Sequence, residues 1–271
     1  MVALIYLILS IFAGSALAIF SHTEINTALF IILGTLISFI GLVLLHFLAL
    51  VLISLFIDKN KPPKTAESFY RYFMLSCLSL FFGLFRVRVK VSGREKLPDT
   101  PFLLVGNHQS VFDPMIEMLV LRKHKLAFVS KKENIAIPLG GKFMVAGGCI
   151  SLDRENNRSA AGAISSAADA IKSGRFSMGI YPEGKTNRKP KEVKLLPFHS
   201  GSFKIASKSE APIVIAVIGN SRGLEKRFFR PVNKVTLDIV DVIPPEAYKG
   251  LRTQEISDTV KEKILNFYDK E

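Results

Sequence analysis

Apolar positions run unbroken at the front of the chain and become periodic behind it. Residues 2–20, "VALIYLILSIFAGSALAIF", carry no charge. A helix of that length approaches the ~20 residues needed to cross a bilayer. After the short segment "SHTEIN" (21–26), residues 27–57 form a second apolar run whose one notable polar group is His46. A straight helix over that run would reach ~46 Å at ~1.5 Å per residue, against ~30 Å of hydrocarbon. It must tilt, project beyond the membrane or bend back. "SALA" has the look of a signal-peptidase site, but no basic segment precedes it and a second apolar run follows, so retention in the membrane fits better than cleavage. His46 suits a place at an interface or against a neighbouring helix better than a proton relay.

A third helical pattern covers residues 67–85. Its uncharged part, 72–85, is too short to span and suits an interfacial helix or one packed on a core. The period then changes to two. In "RVRVKVSG" (86–93) Arg86, Arg88 and Lys90 share one face of a strand opposite Val87, Val89 and Val91, a face fit for lipid headgroups or for a solvated sheet edge. Further strands are predicted at 102–107, 126–131, 149–153, 177–182, 213–219 and 234–243. Helical patterns lie between several of them, one over 159–174 that ends at Gly174 as a C-terminal cap. The tail, 252–271, reads as a surface helix. Such alternation predicts an α/β fold, a mixed and mostly parallel sheet covered by helices, preceded by an N-terminal hydrophobic helical membrane segment. The implied organisation is 1–57 for two apolar spans, 58–85 for a basic linker and interfacial helix, and 86–271 for the α/β domain. There is no internal repeat and no low-complexity tract.

Charge sharpens this division. All 36 basic residues and 22 of the 23 acidic ones lie beyond Ile57, giving the body a formal charge of +14. An apolar front and a basic body suit a protein working at anionic membrane surfaces. Nucleic acid is the rival partner for a basic protein, yet zinc-finger spacing, an RNP-like aromatic motif and Trp are all missing from the sequence. The three lysines of "DKNKPPK" (58–64) put that end on the cytoplasmic side, with 21–26 opposite; re-entrant helices would leave the same pattern. Cys77 and Cys149 fit neither a disulfide framework nor a metal-ligand spacing, and no metal site is expected. Both read as small buried apolar residues.

"GNHQSVFDP" (106–114) joins the end of a strand to a helix opening at Pro114. Asp113 could simply cap that helix. Chance alone produces a His-x-x-x-x-Asp often enough that the pair decides nothing by itself. Ligands of α/β sheets bind at the carboxyl ends of strands, however, and His108 sits at such an end. Asp113 folded back onto one imidazole nitrogen would leave the other facing substrate. Ser110 is close by, but there is no G-x-S-x-G elbow, so the attacking hydroxyl would come from the substrate.

Three more blocks accompany the pair. "GCISLDR" carries Ile150, Asp153 and Arg154, "YPEGKTN" carries Pro182, Glu183 and Gly184, and "APIVIAVI" opens at Pro212. Together with Asn107, His108 and Asp113 they form four motifs in order between Asn107 and Gly219, inside a stretch of similarity over roughly 69–219. In this the chain resembles the lysophosphatidic acid acyltransferase (1-acylglycerol-3-phosphate acyltransferase) family of glycerolipid acyltransferases. The resemblance implies a glycerol-3-phosphate acyltransferase-like fold and transfer of a fatty acyl chain from acyl-CoA or acyl carrier protein to the sn-2 hydroxyl of lysophosphatidate, with no further cofactor. It assigns His108 as general base and Asp113 as its partner, with Asn107, Arg154, Glu183, Gly184 and Pro212 at the substrate; Lys185, one residue before the place of the family's arginine, could bring its ammonium to the same phosphate on its flexible stem. Arg154 would clamp a phosphate through its planar fork. Lys185 and Thr186 stand where the family commonly has Thr-Arg, and Ile215 where it has a second proline, so another acceptor (glycerol 3-phosphate, a lyso-phospholipid or a lyso-aminolipid) stays open. So does a non-catalytic lipid-binding role, against which His108, Asp113 and Glu183 argue.

Overall fold

A computed structural model describes residues 2–20, 27–61, 69–189 and 192–270. The expected loop at 21–26 and the last three residues of the basic segment 58–64 lie outside these. Helices α1 (Val2–Phe20) and α2 (Thr27–Leu55) pack as a hairpin, and both are long and apolar enough to cross a membrane. They cross where two glycines meet: a Cβ on Gly14 would lie 2.6 Å from the Thr35 hydroxyl, and one on Gly34 3.0 Å from the Gly14 backbone. Small residues permit this approach, as they do between helices in lipid. The outward faces are bare, with Phe12, Ile19 and Ile37 each about 70% exposed. The excess length of α2 goes into the protein. Ile57 is buried in the core behind it, the Ser54 carbonyl accepts Lys142 Nζ at 2.7 Å, and Lys59 Nζ donates to the Ile135 carbonyl at 3.1 Å.

His46 lies against helix neighbours. Tyr6 of α1 is 2.6 Å from Nδ1, and Cys77 of α3 (Phe69–Leu84) is 3.1 Å from Nε2, with the Phe73 ring stacked on the imidazole. Helix α3 also belongs to the body. Met74, Leu75 and Phe82 enter the core, and Arg71, 2% exposed, donates to the carbonyls of Gly147 (2.8 Å) and Leu126 (2.9 Å) with its guanidinium over the Phe176 ring. A fully buried arginine survives only because those acceptors and that ring replace its water.

The sheet has seven strands: β1 (Val87–Ser92), β2 (Leu103–Gly106), β3 (Ala127–Lys131), β4 (Ile150–Leu152), β5 (Met178–Ile180), β6 (Ile213–Gly219) and β7 (Asn233–Ile243). Their order is β1-β7-β6-β2-β5-β3-β4, all pairs parallel except β6 with β7. All seven expected strands are present within a residue or two. The three central strands β2, β5 and β6 are apolar nearly throughout, as a parallel sheet covered on both faces requires. One face packs on α7 (Asn157–Lys172), α8 (Lys204–Ser209) and α9 (Thr253–Tyr268), the other on α3, α4 (Asp113–Val120) and α6 (Gly140–Ala146). The short α5 (Lys132–Ala136) follows β3. At the sheet edge β1 alternates, with Arg88 and Lys90 exposed and the valines half-buried. Asn156 caps α7 by accepting the N–H groups of Arg158 and Ser159 at 3.0 Å, and Gly174, at φ 71, ends it as expected. The tail helix is a surface helix with one buried stripe, Ile256, Val260 and Ile264.

Arg71→Leu would strand two buried carbonyls. We expect it to destabilise the fold by roughly 2–4 kcal/mol, read as a lowered urea midpoint in detergent, at a site remote from the catalytic groups.

Candidate active site

Strands β2, β5 and β6 lie side by side, and their carboxyl ends bring together segments far apart in sequence. The order of connections reverses at β2, since β3 lies on one side of it and β6 on the other. A crevice at such a reversal is where open α/β sheets bind ligands.

His108 follows β2. Its Nδ1 is 3.0 Å from Asp113 Oδ2. The same oxygen accepts the N–H groups of Gln109 (2.7 Å) and Ser110 (2.8 Å). Asp113 therefore does not cap α4 as its position suggests: it is the first residue of the helix, its carboxylate turns back onto the preceding loop, and Phe112 holds the cap position without a side-chain bond. With Nδ1 held against the carboxylate, Nε2 is the ring nitrogen not engaged by Asp113. The Ser110 hydroxyl is spent locally, accepting the Phe112 N–H at 3.3 Å.

Glu183 is 3% exposed, and both its oxygens are taken. One accepts the His108 N–H and the other the Leu196 N–H, each at 2.8 Å. Burial raises its pKa, while those two N–H groups and His108 pull it back. Its position makes it a tie between the loops after β2 and β5. Asn107 is committed in the same way. Its amide donates to the Ile218 carbonyl at 2.9 Å and accepts the Ile218 N–H at 2.8 Å, so it extends the pairing of β2 with β6 and offers no polar face to a substrate.

Gly184 turns at φ 74, and its carbonyl accepts a hydrogen bond from Arg154 Nη1. A Cβ there would strike the Arg154 guanidinium and the His199 ring, so only glycine lets the arginine close on the turn. Arg154 thus comes from the end of β4 to the end of β5, exposed, beside the exposed Lys185 and His199. Asp153 pairs with Lys132 at 2.9 Å rather than with Arg154. Pro212 is the residue that the structure does not bring to this place. It precedes β6, level with Phe102, whereas His108 lies beyond the other end of the paired strands. At ~3.3 Å per residue that separation is about 20 Å, so the expectation that Pro212 touches substrate is withdrawn. Its carbonyl serves the sheet by accepting the Leu103 N–H at 2.9 Å.

Three residues at the site were not anticipated. The Tyr181 ring stacks flat on His108, 4.2 Å between centroids and 3° between planes. Its hydroxyl donates to Glu117 Oε2 at 2.7 Å. Asn187 donates its N–H to the His108 carbonyl at 2.7 Å, and its side chain bonds to the Val193 carbonyl and the Lys189 N–H. A signal for Glu117 existed: an acidic residue in an apolar helix, one turn after Asp113.

Glu117 is 1% exposed. Burial above all, and then the charge of Asp113, hold its carboxyl well above the usual range, against the pull of the Tyr181 hydroxyl. The folded carboxyl keeps its proton to higher pH than the unfolded one, so its burial costs nothing at low pH. The cost grows as pH rises above the unfolded value near ~4.3. Glu117→Gln keeps an acceptor for Tyr181 and cannot ionise. Its Tm relative to the parent chain should therefore climb between about pH 5 and pH 9. A constant Tm difference across that range would mean that Glu117 is charged in the fold without penalty.

The Acyltransferase family model matches residues 88–219, a span that holds every catalytic candidate. The 1-acyl-sn-glycerol-3-phosphate acyltransferase of Saccharomyces cerevisiae is 30% identical over 207 residues, covering 76% of this chain and 62% of the yeast protein. That of Haemophilus influenzae is 32% identical over 146 residues, covering 54% of this chain and 59% of its own. The chain spans under two thirds of the length of the curated relatives it matches, 65% for mouse 1-acyl-sn-glycerol-3-phosphate acyltransferase alpha. The crystal structure of the 1-acyl-sn-glycerophosphate acyltransferase of Thermotoga maritima shares the fold, with a TM-score of 0.58, 23% identity, and coverage of 83% of this chain and 89% of that one. Residues 88–219 thus match the Acyltransferase family model, and the curated relatives that this chain resembles are 1-acyl-sn-glycerol-3-phosphate acyltransferases.

Proposed function

We propose that this protein transfers a fatty acyl chain from a thioester, acyl-CoA or acyl carrier protein, to the sn-2 hydroxyl of lysophosphatidate, forming phosphatidate. The observation that carries the reading is the His108–Asp113 contact, with Nδ1 bound to the carboxylate and Nε2 left over. Nε2 takes the proton of the acceptor hydroxyl as its oxygen attacks the thioester carbonyl carbon. The tetrahedral adduct then collapses, the carbon–sulfur bond breaks, and the departing thiolate takes the proton back from Nε2. No acyl-enzyme forms, in keeping with the engaged Ser110 hydroxyl. Asp113 favours the imidazolium electrostatically while that proton is held.

The acceptor phosphate, close to two negative charges, suits the cationic rim of Arg154, Lys185 and His199. Arg154 spends one N–H on Gly184 and has four to offer. In this reading α1 and α2 enter the bilayer, and the lysine-rich segment after them keeps the α/β body on the cytoplasmic side. The names of the relatives support lysophosphatidate as the acceptor. Lys185 and Thr186, where the family has Thr-Arg, are the reason to test others in the same assay.

Thiol release by the purified protein, measured with both donors across a panel of lyso-lipids and glycerol 3-phosphate, tests the reaction. Silence with every acceptor would leave a lipid-binding protein. His108→Ala should lower turnover at least a hundredfold with the fold intact. Asp113→Asn should be severely impaired too, since an amide cannot balance an imidazolium; near-normal turnover of either variant removes this mechanism. For the rim, Arg154→Ala and, more weakly, Lys185→Ala should raise the KM for lysophosphatidate by roughly ten- to a hundredfold, with the KM for donor nearly unchanged. Acceptor kinetics of Lys185→Ala within about twofold of the parent would make Lys185 a solvated turn residue.

A further inference from the structure

The segment between β6 and β7 carries an unpartnered aromatic ring. Phe229 is 92% exposed, more than any other large apolar side chain among the described residues. In the same segment Arg222, Lys226 and Arg230 are exposed, with Glu225 as the lone acid between them. Its neighbour Phe228 points the other way and fixes the segment. The Phe228 ring stacks on Phe85 at 4.2 Å and meets Phe112 and Phe81 edge-on at 5.5 Å.

Those contacts give the segment an address. Phe85 directly follows α3, and two residues before it Gly83 rests on the start of α1, where an added Cβ would come within 3.0 Å of the Ala3 side chain. The segment is therefore seated at the foot of the α1–α2 hairpin. Phe112 directly precedes Asp113, so the same aromatic cluster backs the His108 loop. Val111, 64% exposed, lies on that loop as well.

We infer that residues 220–232 form a membrane-contacting loop, which sets Phe229 into the surface of an anionic bilayer beside the His108 site. The inference rests on the reading that α1 and α2 enter the bilayer. An aromatic ring in one segment with Lys and Arg is matched to the headgroup region, where the ring leaves water and the cations meet acidic lipids. A second protein surface would be expected to bury a ring in a pocket, and the crowded cations argue for a partner of diffuse negative charge. The placement would let a lipid acceptor slide from the bilayer to Nε2 along apolar side chains.

The sequence has no Trp, so Phe229→Trp installs the one indole in the full-length chain. The protein is reconstituted in vesicles of phosphatidylcholine and phosphatidylglycerol and recovered by flotation. The expected result is a blue-shifted emission, quenched by lipids brominated high on the acyl chain. Changing Arg222, Lys226 and Arg230 together to Glu should abolish both effects while the chain still floats through its hairpin. A floating chain whose indole emits as in water, or emits to the blue without lipid quenching, overturns the loop alone. A chain that does not float overturns the membrane reading and the loop with it. A quenched indole in a protein that releases no thiol would leave the loop standing and remove the proposed reaction.

Discussion

A sheet of parallel strands buried on both faces sets the terms for everything else in this protein. Such a sheet cannot leave a wet side, so its central strands are apolar without alternation and helices must cover both faces. Main-chain groups then emerge unpaired only at the strand ends, where burial without a partner is costly. Here Asn107, Asp113, Glu183 and Asn187 meet that cost at one end of the sheet: Asn107 bonds to the backbone of β6, Asp113 to its own loop, and Glu183 and Asn187 across to the loop after β2. The His108 loop is fixed as a by-product of satisfying hydrogen bonds. His108 is held by three of these ties and by the face of Tyr181.

This explains why motif residues divide into two kinds. Arg154 and Lys185 are exposed, while Asn107 and Glu183 spend their polar groups inside the fold. Sequence reasoning put all of them at the substrate because spacing reports proximity and says nothing about which way a side chain turns. Pro212 shows a different error. A proline opening a strand reads as part of a site only if the strand runs away from it, and the parallel register with β2 puts it at the far end.

Most of the architecture was legible. Alternating helix and strand patterns located every strand, and the charge-free front of the chain marked the hairpin. The fate of α2's surplus length was not legible, because docking by Ser54 and Lys59 depends on residues 88 and 76 positions later. Arg71 was invisible for a similar reason: an arginine in an apolar helix looks like its polar face until Gly147 and Leu126 supply the carbonyls. Tyr181 and Glu117 are separated by 64 residues, and only the pairing of β2 with β5 makes them neighbours.

The docking of α2 also has a mechanical side. Two residues beyond the end of a 29-residue helix, Ile57 is already locked in the core, with lysine ties on either side of it. A hairpin fastened this way behaves as a mast stepped into a hull. Where the mast stands in a bilayer, a thinner or thicker membrane can be accommodated only by leaning, and the hull must lean with it. The distance from His108 to the lipid plane then becomes a function of bilayer thickness.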